Sequence, residues 1–192
     1  MKKTLIFLSA FLLVNTAIAS DNNSFNPGIY LGLQGGIAYD GLPNHNLKGV
    51  NFSGRFFAGY NFTKHLALES SFLATDSREI KNIVGDNLTD KVKLKQQILD
   101  FTPRINIPLD DNFTIYARGG IACIDYFEKG TVSKTFNITY GLGLDYKITN
   151  HLATGISWSH YNGGSTKPVD IIYRKYQPSL DFYGLSLTYN FS

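Results

Sequence analysis

A single cysteine, Cys123, excludes an internal disulfide framework. No run of about eighteen apolar residues follows residue 20, so a transmembrane helix is excluded. Nor do Ala, Leu, Glu and Lys dominate any long window, so nothing in the chain calls for an extended helix. Of the four histidines, His45, His65 and His151 are spread over a loop and two turns without metal-ligand spacing, and neither a metal nor a cofactor is expected. Gly35-Gly36 and Gly119-Gly120 are not phosphate loops, because no helix follows them. Charge is also scarce. The 18 basic side chains barely exceed the 15 acidic ones, and removal of Lys2 and Lys3 with a leader would bring them close to balance. Steering toward nucleic acid is therefore not indicated.

What the chain does have is a targeting signal, aromatics and alternation. Lys2 and Lys3 precede an apolar stretch from Thr4 to Val14, and Ala17-Ile18-Ala19 fits a small-residue cleavage site. Residues 1–19 are expected to be a signal peptide and 20–192 the mature domain. Aromatic residues make up 14% of the chain, a composition that favours strands. From Gly28 to Tyr39, Ile29, Leu31, Leu33, Ile37 and Tyr39 share one face. Tyr30, Gly32, Gln34, Gly36 and Ala38 share the other. From Asn51 to Phe62, Phe52, Phe56, Ala58, Tyr60 and Phe62 alternate with Asn51, Ser53, Arg55, Gly59 and Asn61, and Phe57 breaks the polar face. Near the C-terminus Tyr183, Leu185, Leu187, Tyr189 and Phe191 oppose Gly184, Ser186, Thr188 and Asn190.

Alternation of this kind marks strands between two unlike environments. A polar face of Gly, Ser, Asn and single charges, opposite an apolar face ending in aromatics, suits a barrel with lipid outside and a packed polar interior. In hydrocarbon every backbone polar group needs a partner, so such a sheet must close. The segment Tyr60-Asn-Phe-Thr-Lys-His-Leu66 recurs loosely as Ile107-Pro-Leu-Asp-Asp-Asn-Phe113 and as Tyr146-Lys-Ile-Thr-Asn-His-Leu152. Three tight turns near 63, 110 and 149 thus join six strands, and strands over 28–39 and 180–191 complete eight. Connections over about 40–50, 76–95, 125–135 and 161–178 read as long polar loops facing outward. Pro168 and Pro178 fall in or beside the fourth loop, and Pro103 predicts a bulge inside a strand. The fold class expected is all-β: an eight-stranded antiparallel transmembrane barrel with short periplasmic turns and four longer extracellular loops.

Phe57-Ala-Gly-Tyr60 with Leu66-Ala-Leu-Glu69, Pro108-Leu-Asp-Asp111 with Ile115-Tyr-Ala-Arg-Gly-Gly120, Gly141-Leu-Gly-Leu-Asp-Tyr146 with Ile148-Thr149 and Ala153-Thr154, and Leu185-Ser-Leu-Thr-Tyr-Asn-Phe191 follow one another in the order and spacing of a known family. The chain resembles the transmembrane domain of outer membrane protein A over nearly all of its mature length. It is expected to be a stand-alone barrel without that family's peptidoglycan-binding domain, closer to small adhesion and invasion barrels. The resemblance implies an outer-membrane location and insertion by the barrel assembly machinery, whose signal normally ends on an aromatic; here Ser192 follows Phe191. It also places Glu69, Arg104 and Asp145 at an interior salt-bridge gate. Gly155 stands where the family has a fourth, arginine member, with Arg118 or Arg55 as substitutes.

Alternation sends Arg55, Glu69, Asp100, Arg104, Arg118, Asp145 and Lys147 inward, where charges must be paired. An interior ionic plug is expected, since a barrel this narrow fills with side chains. Lys91, Lys93, Lys95, Lys167, Arg174 and Lys175 make the loops basic, as contacts for lipopolysaccharide phosphates, host surface polyanions or proteins. The function expected is a monomeric, structural and surface-interacting outer-membrane protein, adhesin-like and not an enzyme. Two alternatives stand beside it. One is a small diffusion channel. The other is an enzyme deacylating lipid A with His160 as base, because Ser157-Trp-Ser-His160-Tyr-Asn-Gly-Gly164 resembles the His-x-Ser-Asn segment of such barrels, though Asn162 stands where their serine would. Alternation puts His160 toward lipid, in an aromatic belt, and Cys123 on the same outer face.

Overall fold

A computed structural model of the chain describes residues 27–41, 50–76, 78–84, 87–128, 131–163 and 179–191. The leader, Pro168, Pro178, Lys167, Arg174 and Lys175 lie outside them. The alternating runs become β1 (Gly28–Gly41), β2 (Val50–Asn61), β3 (Leu66–Thr75), β4 (Arg78–Val84), β5 (Asn87–Pro108), β6 (Phe113–Glu128), β7 (Thr131–Lys147), β8 (Leu152–Tyr161) and β9 (Ser179–Asn190). All pairings are antiparallel in the order β3-β2-β1-β9-β8-β7-β6-β5-β4, and a β3–β5 ladder closes the sheet. β3 and β4 follow each other along β5 as one interrupted stave, so nine strands make an eight-stave barrel.

Closure is staggered. Following partners from Ala38 through Phe182, Ser159, Gly141, Arg118, Arg104, Ala67 and Asn61 returns to Gly28, 10 residues down β1 from the start (38 against 28). Such a stagger requires tilted strands and leaves an interior that side chains can fill.

Each short turn is built the same way. The Thr63 hydroxyl accepts from the backbone N–H of His65 and Leu66 at 3.1 and 3.0 Å. Thr149 does the same for His151 and Leu152. In the middle turn Asp110 accepts from Asn112 and Phe113 at 2.8 and 2.7 Å. The carbonyls of His65, Asn112 and His151 then accept from Asn106, Lys147 and Asn190, stitching each turn to the end of the next hairpin. Phe191 N–H donates to Ile29 O at 2.9 Å and closes this end of the ring. The sequence repeat is thus a repeat of turn chemistry.

Three expectations are corrected. The described residues of 76–95 and 125–135 form hairpin arms: β4 pairs with the start of β5 up to Asn87, and β6 pairs with β7 up to Glu128. Charged side chains made them look like loops. Outside a membrane, though, a backbone ladder needs no apolar face, only N–H and C=O partners. Second, no bulge forms at Pro103. It pairs with Leu68 within an unbroken register, and the ladder to β6 resumes at Arg104↔Arg118 in the register it had at Phe101↔Ile121. There the β6 ladder skips Thr102 and Pro103, so the residue without an N–H falls in a local gap of the pairing and not in a bulge. Gly120 lets the β5 backbone approach, since a Cβ on it would run into Phe101 O. The register shift in β5's pairing lies instead between Asn82 and Ile83 of β4.

The third correction concerns the lumen. It is not uniformly polar: toward the extracellular end Ala38, Leu73, Ile98, Ala122, Ile124, Tyr126, Tyr161, Leu180 and Phe182 form one buried apolar cluster. The outward face carries exposed Leu33, Phe52 (80% exposed), Phe136 (76%), Ile138, Ile156, Leu185 and Leu187, the inversion that a lipid solvent demands. Tyr60, Phe62, Phe113, Tyr146, Tyr189 and Phe191 ring the turn end in edge-on or tilted pairs.

Candidate functional site

Two constellations carry polar chemistry: a charge network across the lumen and a cluster on the outer wall. The network centres on Glu69 of β3, which is 2% exposed. Its Oε1 accepts from Arg55 Nη2 at 2.6 Å and Arg118 Nη1 at 2.8 Å. Its Oε2 accepts from the Tyr30 hydroxyl at 3.1 Å and lies 3.6 Å from Arg104 Nη1. Arg55 also donates to Ser71 Oγ (2.7 Å) and to Gln34 Oε1 (3.2 Å), and Gln34 donates to Ser157 Oγ (2.6 Å). Arg118 bonds Ser159, and Arg104 bonds Asn106 Oδ1 (2.7 Å) and Asp145. Above Glu69, Asp100 Oδ2 accepts from Ser71 (2.7 Å) and Tyr161 (2.8 Å), with Arg55 3.9 Å from its other oxygen.

Six of the seven residues expected inside are therefore brought together: Arg55, Glu69, Asp100, Arg104, Arg118 and Asp145. Three positive groups meet three carboxylates, so the plug is formally neutral, and Asp100 Oδ1 alone among its carboxylate oxygens is buried without a hydrogen-bond donor, with Arg55 3.9 Å away. Lys147 is the exception. It is exposed at the turn end of β7 and does not join the network. Arg55 and Arg118 both stand against Glu69. Gly155 has no room for a side chain, because a Cβ there would meet the Leu144 backbone carbonyl as well as Asp145 Oδ1.

Rings complete the lumen. Phe57 lies on Gly32, Tyr30 on Gly59 and Tyr116 on Gly143, each ring filling the space a Cβ would take. The Arg104 guanidinium sits 3.6 Å from the Tyr116 ring centroid. Phe57 thus breaks the polar face because a facing glycine receives it. Sequence reading missed Tyr30, Tyr116 and Tyr161 as network members; alternation puts Tyr30 and Tyr116 on the inward face, whereas Tyr161 was expected in the fourth loop and instead ends β8, buried.

On the outer wall Asp181 Oδ1 accepts from Trp158 Nε1–H at 2.9 Å and lies 2.8 Å from His160 Nδ1. His160 Nε2 is 3.1 Å from Asn162 Oδ1. The Tyr140 ring lies 5.0 Å from the His160 ring and 5.8 Å from Trp158, and Tyr39 meets Tyr183 edge-on at 5.8 Å. Asp181 was not singled out in the sequence, since it is twenty-one residues from His160 and only the β8–β9 register joins them. Ser157 and Ser159 face the lumen. Among the loop lysines, Lys95 is exposed on β5; Lys91 and Lys93 are placed only by backbone, opposite Lys81 and Glu79. Cys123 faces outward, half-buried, opposite Phe136.

A closed barrel with an apolar exterior, aromatic girdle and plugged lumen is an outer-membrane architecture. The sequence matches the model of the outer membrane protein beta-barrel domain over residues 7–191. The chain belongs to that family. It is an outer-membrane protein, similar in fold to solved barrels of Gram-negative bacteria. With Neisserial surface protein A it shares 13% identity and a TM-score of 0.62, over 87% of this chain and 100% of that one. With the outer membrane protein OprG of Pseudomonas aeruginosa the values are 15% and 0.57, over 85% and 96%. With the attachment invasion locus protein Ail of Yersinia pestis they are 14% and 0.54, over 86% and 97%. No curated protein matches the sequence. Identities this low speak for the fold alone.

Proposed function

We propose that this outer-membrane barrel is a non-enzymatic, monomeric protein with structural and surface-interaction roles, adhesin-like in kind. The observation that carries the reading is the division of the molecule along its axis. The lumen is filled by a neutral ionic network and an apolar cork, which disfavours traffic. The β4–β5 and β6–β7 hairpins meanwhile continue past the lipid-facing band as paired strands. On the outer face the apolar run of β6–β7 is interrupted after Cys123↔Phe136, before Phe127↔Val132 near the tip. Two positions farther out Lys134 and Asp125 pair at 3.3 Å. Beyond the membrane the molecule thus offers a stiff platform, and loops on rigid scaffolds are where binding concentrates.

Lys91, Lys93 and Lys95 lie on the β5 arm, and the sequence of the connection after β8 adds Lys167, Arg174 and Lys175, a basic set fitted to lipopolysaccharide phosphates and host polyanions. The Yersinia pestis protein Ail has been solved with the heparin analogue sucrose octasulfate, which makes heparin the first probe. The test is heparin and serum-protein binding to the refolded barrel, with residues 164–178 replaced by Gly-Ser and separately with Lys91, Lys93 and Lys95 changed to Glu. Loss of salt-sensitive binding in either variant supports the reading; binding that survives both sinks it.

A second reading, lipid A deacylation with His160 as base, gains one observation: Asp181 orients His160 as an acid orients the base in acyl transfer. The nucleophile is the weak point, since Nε2 faces Asn162 and both nearby serines point inward. Mass spectrometry of lipid A from expressing cells, with His160→Ala as control, decides it.

A further inference from the structure

The cluster on β7, β8 and β9 has features that an interfacial belt does not need. Trp and Tyr settle at membrane interfaces by themselves. A carboxylate on the lipid-facing wall does not, because hydrocarbon penalises it. Yet Asp181 faces outward between the inward-facing Leu180 and Phe182. Its Oδ1 is engaged twice, by Trp158 Nε1–H and by the His160 ring. Those bonds fix the carboxylate and leave Oδ2 as an oriented acceptor, with the side chain 33% exposed.

The surroundings define what suits that acceptor. Ladder partners across the wall are Tyr140, His160 and Asp181, and one step down Leu142, Trp158 and Tyr183. Tyr140 and Tyr183 are 42% and 47% exposed, so their rings offer surface beside the carboxylate. Below them Ile156 and Leu185 continue the apolar wall. A ligand must therefore bring hydrogen-bond donors to Oδ2, apolar C–H faces to the rings and an acyl chain to the wall beneath. A phosphate placed directly on Oδ2 would be repelled, so the group that meets this oxygen is a hydroxyl, with any headgroup phosphate turned away from Asp181.

We propose that Tyr140, Trp158, His160, Asp181 and Tyr183 form a binding site for the saccharide headgroup of the outer-leaflet glycolipid, with its hydroxyls donating to Asp181 Oδ2 and its acyl chains lying on the wall below. The site rests on the outer-membrane location and is independent of the adhesive reading, which concerns the hairpins. It binds the glycolipid intact: Nε2 of His160 is held by Asn162, so no hydroxyl is activated there.

The chain has one tryptophan, and it lies in this cluster, so intrinsic fluorescence reports on the site directly. The experiment titrates lipid A into the full barrel refolded in detergent micelles, with phosphatidylglycerol and phosphatidylethanolamine as parallel arms. A saturable change in Trp158 emission is expected for lipid A only. Asp181→Asn preserves an oxygen for Trp158 but turns the free acceptor into a donor. It should weaken lipid A binding by about tenfold or more, and Tyr140→Leu should weaken it further when combined. β-sheet circular dichroism verifies that both variants fold, and the recovered lipid A should be chemically unchanged. Equal affinity in Asp181→Asn, an equal response to either phospholipid, or recovery of deacylated lipid each overturns the proposal.

Discussion

At the scale of single residues, the decisive contacts are those that several buried charges share. Glu69 holds Arg55, Arg118, Tyr30 and Arg104 at once. Glu69→Ala strands buried guanidinium groups and should destabilise the barrel by about 3–5 kcal/mol, read as a lower urea midpoint in micelles. Glu69→Gln, which keeps the shape and two polar atoms, should lose less. The Gly32–Phe57 contact works by exclusion. A side chain at residue 32 would collide with the Phe57 ring, so Gly32→Val should cost about 1–3 kcal/mol through overpacking. Combining it with Phe57→Ala should recover part of that loss, and additive effects in the double variant would refute the contact.

At the scale of elements, the turns carry the predictions. Thr63→Val removes an acceptor used by two N–H groups and should cost about 0.5–1.5 kcal/mol, with Thr149→Val behaving alike. The middle turn adds a pH dependence. Backbone N–H donation from Phe113 and Asn112 holds the Asp110 carboxyl below its ordinary range. A group whose folded value is lowered contributes stability above the unfolded carboxylate range and loses it as pH falls through the lowered value. Asp110→Asn keeps an acceptor without titrating, so its unfolding midpoint should fall less between neutral and acid pH than that of the native chain. An identical acid-side fall in both would show that the turn does not contribute.

At the scale of the whole molecule, ionic network and apolar cork act in series. Ser157, Gln34, Arg55, Glu69 and Arg118 run across the lumen from β8 through β1, β2 and β3 to β6, and Tyr161 ties β8 to Asp100 on β5. Planar-bilayer recordings should show no sustained open state. Glu69→Ala should leave the baseline closed as well, because Leu180, Phe182, Ile98 and Ile124 still seal the outer half. A steady conductance in the native chain would overturn the plug. Phe182→Ala opens the cork and should cost about 3–5 kcal/mol, as large-to-small changes in packed cores do.

The sequence by itself determined the staves, their in–out faces, the three short turns and six of the seven interior charges. Those follow from a period of two between two solvents, a local rule written into each strand. It did not determine where strands end outside the membrane, because the charges of 76–95 and 125–135 outweighed the short alternation of Val92 and Leu94 with Lys91, Lys93 and Lys95. Nor did it distinguish the apolar cork from the charged plug, since both sit on the same alternating face. Only the register decided which residues meet: the 10-residue stagger carries Arg104 to Asp145 and Tyr161 to Asp100 across the lumen, and the β8–β9 ladder sets Asp181 beside His160 and Trp158. Partners distant in sequence become neighbours through closure of the sheet, which no local pattern encodes.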